Sequence, residues 1–71
     1  MKSYETIDGT ASFKLKIAEY RTMRANAFQY GMFEVKDHKP FAFKFEQEAY
    51  NVGVEQTRRL KEEAKQGETH G

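Results

Sequence analysis

The chain has no cysteine and only two histidines, which removes disulfides and the usual zinc ligand sets as braces for a small fold. Tryptophan is absent and proline occurs once, at Pro40. No apolar run is long enough to cross a bilayer, and the opening MKSYETIDGT has no hydrophobic signal segment. The expected setting is therefore cytoplasmic, with no membrane contact. Excess charge is missing too: 12 basic and 11 acidic residues leave a net charge of +1. Proteins that grip nucleic acid over their whole surface carry a larger basic surplus, because phosphate neutralisation supplies the long-range attraction.

Catalytic signatures are equally sparse. There is no glycine-rich nucleotide loop, no HExxH pair and no cysteine nucleophile, so no catalytic residue, cofactor or metal is expected. Ser3 and Ser12 coexist with His38 and His70, but no spacing ties them together. Glu46, Glu48, Glu62 and Glu63 have a sufficient explanation as the solvated face of an amphipathic helix.

Aromatic residues are what the chain does have. Six phenylalanines and four tyrosines among 71 residues supply enough apolar area to fold or to bind a partner. Residues 1–71 are read as one small domain, with 1–10 and 67–71 weakly ordered. A globule of this size buries only about 60% of the surface its unfolded chain exposes, so a partner or a second copy could complete the core.

The clearest alternation lies at residues 31–45, GMFEVKDHKPFAFKF. Phe33, Val35, Phe41, Phe43 and Phe45 share one parity, and polar residues dominate the other, which predicts a two-stranded hairpin turning at Lys36 to Pro40. Its phenylalanine face needs cover from helices on either side. The expected class is α+β: a small α-β-β-α domain in which a two-stranded antiparallel hairpin packs against two helices.

The first helix is expected over residues 12–30, with Phe13, Ile17, Tyr20, Ala27 and Phe28 in an apolar arc that also holds Arg24. Thr10 or Ser12 would cap its start and Gly31 would end it. A second reading stays open for residues 12–18. Phe13, Leu15 and Ile17 alternate with Lys14 and Lys16, and SYETI could pair with TASFKLKI across Asp8-Gly9, a dipeptide that suits a two-residue turn.

The last helix is expected from about Glu46 or Gln47 to Lys65. Ala49, Tyr50, Gly53, Val54, Thr57, Leu60 and Ala64 form its packing stripe, and Gly53 would permit close approach by another backbone. Gly67 is expected to end it. AFQYGM at 27–32 and AYNVGV at 49–54 share the order Ala, aromatic, amide, any residue, Gly, apolar, as two helix segments that pack through a small residue would.

The leading functional expectation is a small noncatalytic interaction or regulatory protein that binds a protein partner, with self-association as one form of it. Arg24, Phe28, Tyr30 and Met32 are the candidate protein interface. The alternative is a nucleic-acid- or ribosome-binding accessory protein, in which Lys14, Arg21 and Arg24 of the first helix contact phosphates and Tyr20 or Tyr30 stacks on an unpaired base. Pro40-Phe41 followed by Tyr50-Asn51-Val52-Gly53-Val54 resembles the ribosome modulation factor family, where a proline-aromatic pair precedes an aromatic-xx-Gly-apolar helix motif. The resemblance implies ribosomal or RNA contact near Arg58 and Arg59. This chain departs from that family in lacking its tryptophans and its residue before proline.

Overall fold

The computed structural model describes the backbone of residues 2–69 and the side chains of residues 2–65. Strand β1, Lys2–Glu5, pairs antiparallel with β2, Ser12–Leu15, with Tyr4 opposite Phe13 and Ser3 opposite Lys14. Strand alternation puts Tyr4, Phe13 and Leu15 on one face and Lys14 on the other. Asp8 holds the corner. Its Oδ1 accepts from the Thr6 hydroxyl at 2.6 Å, the Thr10 hydroxyl at 2.8 Å and the Thr10 amide at 3.1 Å, while Gly9 turns the chain at φ +73°. These donors, Thr6 first, lower the Asp8 pKa from 3.8 to about 2, because each favours the ionised carboxylate.

Residues 12–18 thus divide: strand through Leu15, then helix α1, Ile17–Met32. The expected continuous helix over 12–30 is corrected at its start. Alternation of Phe13 and Leu15 with Ser12 and Lys14 places one apolar face against the helices, and a strand uses that pattern where a helix would scatter it. Neither Thr10 nor Ser12 caps α1; the cap position is Lys16, with extended backbone and no side-chain capping bond.

The hairpin expected at 31–45 is also corrected. Residues 31–32 finish α1, residues 33–43 form a connection, and Phe45 lies in helix α2, Lys44–Thr69. The backbone donors that a ladder would need are spent on helix ends. The Val35 amide bonds the Tyr30 carbonyl at 2.9 Å and the Glu34 amide bonds Gly31 at 3.1 Å, a Schellman closure with Glu34 at φ 52°. Glu34, not Gly31, is therefore the left-handed residue at the end of α1. At the other end, Glu46 Oε1 accepts from the amides of Ala42 and Phe43, both at 3.2 Å, the carboxylate half of a capping box. Phe33 is 76% exposed, whereas Phe43 is buried.

The class is nonetheless α+β, a two-stranded antiparallel hairpin packed against two helices. Its order is β-β-α-α, with the hairpin at the start of the chain and not between the helices. Residues 2–5, expected to be weakly ordered, are strand β1, and α2 passes through Gly67, where a tail was expected. Residues 70–71 of that tail lie outside the described residues.

The connection 33–43 carries the chain back beside the hairpin, so α2 starts level with the start of α1. Tyr20 lies against Phe45, Phe28 against Gly53 and Met32 against Thr57; the two partners advance together, so the helices run in the same direction. Their crossing depends on the paired echo. A Cβ on Gly31 would run into the Tyr50 carbonyl, and one on Gly53 into the Phe28 carbonyl. Ala27 and Ala49, one turn earlier on each helix, are buried. Small residues four apart let the two backbones approach closely, which is why neither glycine tolerates a side chain.

Two aromatic clusters hold the pair. At the hairpin end Tyr4 stacks on Tyr20 at 4.6 Å, with Phe45 edge-on to both and Phe43 beside Phe45. The Glu5 to Lys44 ion pair at 2.8 Å ties β1 to the first turn of α2 and lowers the Glu5 pKa. Under the connection, His38 stacks on Phe41 at 4.4 Å and leans on Tyr50, whose hydroxyl donates to the Val35 carbonyl at 3.1 Å.

Candidate protein-binding groove

The connection covers one side of the seam between α1 and α2. The opposite side is an open groove of about 620 Å³. Its floor is Ala25 and Phe28 from α1 with Ala49 and Val52 from α2, and Tyr20 with Phe45 closes it at the hairpin end. Arg21 and Arg24 stand on the α1 rim; Glu48 and Gln56 stand on the α2 rim. Helical spacing explains the grouping. Residues 21, 24, 25 and 28 sit on one flank of α1, and residues 45, 49, 52 and 56 follow the four-three-four spacing of a single helix face.

Among the described residues, no carboxylate lies within ion-pair distance of Arg21 or Arg24; the pairs formed are Lys44 with Glu5, Arg59 with Glu55, and Lys61 with Glu34. Val52 is 48% exposed although it belongs to the floor. An apolar trough beside two unneutralised guanidiniums is suited to an amphipathic helix that brings apolar side chains to the floor and a carboxylate to the α1 rim.

The sequence-expected interface is divided by the structure. Arg24 and Phe28 line the groove. Tyr30 is roughly 120° round the helix from Arg24 at 100° per residue, on the covered side, where it stacks with His38 at 5.9 Å. Met32 is half-buried and its carbonyl accepts the Thr57 hydroxyl at 2.9 Å. The basic set divides as well. Arg21 and Arg24 share a rim, while Lys14 is on β2, on the hairpin face turned away from Tyr4 and Phe13. Tyr20 is half-buried and already stacked on Tyr4.

Val52, Gln56, Glu48 and Ala25 were missed as site residues. Their available signal was the spacing of Phe45, Ala49, Val52 and Gln56, a second face running beside the packing stripe of the same helix. Among the described residues, no helix is long and apolar enough to cross a membrane, and no group of three or more His, Asp or Glu side chains is placed to hold a metal. Comparison with protein-family models, with curated proteins and with solved structures finds no match to this chain.

Proposed function

We propose that this chain is a small noncatalytic interaction protein of the cytoplasm, and that its α1/α2 groove receives an amphipathic helix from a protein partner. The observation carrying this reading is the pairing of an apolar floor, the half-buried Phe28 and the exposed Val52, with the unneutralised Arg21 and Arg24 on one rim. Burying such a floor supplies most of the binding free energy, and the arginines set orientation and select against basic partners. A partner also answers the shortage of core: among the described residues, the buried apolar side chains are Ala27, Phe43 and Ala49.

Nucleic-acid binding ranks lower because its components are dispersed. Tyr20 is engaged within the fold, and Lys14 belongs to another surface from Arg21 and Arg24.

The test is affinity capture from the source organism with nuclease-treated lysate, comparing wild type, R21E/R24E and K14E. The groove reading expects capture that survives nuclease and K14E but is lost in R21E/R24E. Capture abolished by nuclease, or unchanged by R21E/R24E, would overturn it.

A further inference from the structure

Helix α2 is much longer than the helix it packs against. Its 26 residues extend for about 39 Å at 1.5 Å per residue, and they account for most of the molecule's 51 Å long axis. Helix α1 ends at Met32, level with Thr57. Everything on α2 after Thr57 therefore projects past its neighbour. The packing stripe does not stop there: Ala49, Gly53 and Thr57 are succeeded on the same face by Leu60 and Ala64. Leu60 is 59% exposed, and Ala64 is exposed. An apolar seam that continues past the end of its neighbour is an unfinished helix–helix interface.

Resting on the groove reading above, we propose that the helix received by the groove is the projecting half of α2 from a second copy of this chain, in a reciprocal two-fold dimer. The midpoint of α2 is near Gln56, which stands on the groove rim. A two-fold axis there runs the two α2 helices antiparallel, with Gln56 facing its own counterpart and able to exchange amide hydrogen bonds with it. Residues equally far from the axis on opposite sides then meet. Leu60 of the second copy comes level with Val52 and so with Phe28, bringing the exposed Val52 and Leu60 together over the half-buried Phe28. Glu63 of the second copy comes level with Ala49, beside which Arg24 stands.

Charge complementarity favours this occupant. Glu63 has no basic side chain within ion-pair distance among the described residues, and neither does Arg24 have an acidic one. The arrangement also supplies the missing neighbour. The second copy's α1 flanks the first half of its own α2, which is antiparallel to the overhang, so it lies alongside the overhang where the resident α1 has ended. Each long helix then has an α1 beside both halves, one from each chain. The interface is isologous and closes, since each copy gives one overhang and one groove.

The experiment is light scattering after size-exclusion chromatography over a concentration series, on wild type, L60D, R24E, E63R and the double variant R24E/E63R. Wild type is expected at twice the 8.3 kDa chain mass. L60D is expected at the monomer mass with an unchanged far-ultraviolet spectrum, because Leu60 is exposed within one copy. R24E and E63R should each weaken the dimer by about tenfold or more. R24E/E63R should regain it, and an equimolar mixture of R24E and E63R should form a heterodimer in which both charge pairs are restored.

Wild type at 8.3 kDa up to about 1 mM, where only very weak association escapes detection, overturns the second copy as occupant. So does a dimer unaffected by L60D and by both charge reversals. Nuclease-resistant capture that still depends on Arg21 and Arg24 then leaves the groove reading standing, so the two failures are distinguishable.

Discussion

The two halves of α2 are one uninterrupted helix with different surroundings. Over residues 44–57 it has α1 on one flank and the 33–43 connection on another: Ala49 and Gly53 are buried, and Tyr50, Val54 and Thr57 are half-buried. Over residues 58–65 every side chain is exposed. The first half is held by tertiary contacts. The second depends on helix propensity, on local pairs such as Arg59 with Glu55 at 2.9 Å and on the exposed Lys61 to Glu34 pair at 3.9 Å, which reaches back to the connection; each is worth only a few tenths of a kcal/mol. Short helices without a packed face are marginal in water, so the free half is stable as an extension of the packed half or through a neighbour from outside.

The most severe way to break this contrast is to strip the first half of its neighbour. Gly53→Leu drives a side chain into the Phe28 carbonyl and the Met32 amide, and it should cost more than about 3 kcal/mol, read as loss of cooperative unfolding in a urea titration. Phe43→Ala comes next. Phe43 is buried at the start of α2, against Phe13 and Phe45, and its truncation should remove about 3 kcal/mol, measured as a lower urea midpoint. If that variant melted like wild type, Phe43 would not anchor the packed half.

Substitution at Glu34 should sharpen the contrast from the other side. Glu34 occupies the left-handed region at φ 52°, a conformation that costs a residue with a Cβ roughly 1 kcal/mol. Glu34→Gly should therefore stabilise the fold by up to about 1 kcal/mol by easing the turn between α1 and the connection. Unchanged or reduced stability in chemical denaturation would count against the turn geometry.

The hairpin has a pH signature. The folded pKa of Asp8 is depressed from 3.8 to about 2, so its contribution is fully present above the unfolded value and is lost as pH falls through the folded one. Thermal melts between pH 5 and pH 2 should show a destabilising step that is smaller in Asp8→Asn, where the lowered Glu5 carboxyl still contributes. The smallest effect belongs to the free half: at monomer dilution, Leu60→Ala should change stability by less than about 0.5 kcal/mol, in contrast to the buried positions of the same stripe.

Much of α2 was legible because its apolar residues keep helical spacing for several turns. Ala49, Tyr50, Gly53, Val54 and Thr57 are at least partly buried as that spacing implies. Leu60 and Ala64 belong to the same stripe yet are exposed, since periodicity identifies a face but not where its neighbour ends. The alternation at 33–45 misled for a related reason. A connection that must cover a helix pair needs apolar groups at intervals just as a strand does, and only the fate of its amides separates the two.

The groove was half legible. Arg24 and Phe28 stand together on the wheel of α1, but Val52 and Gln56 join them only because the chain returns through residues 33–43 and lays α2 parallel to α1. Lys14 was grouped with Arg21 through a helix that in fact begins at Ile17. The AFQYGM and AYNVGV echo marked the helix crossing directly, because the glycine of each segment abuts the backbone of the other.

Hydrogen exchange along α2 at two protein concentrations tests the central contrast most directly. The amides of residues 46–57 should be protected at both concentrations. Those of residues 58–65 should exchange rapidly in dilute solution and become protected on concentration, as the second copy covers them. Equal exchange of residues 58–65 at both concentrations, whether fast or slow, would contradict the account.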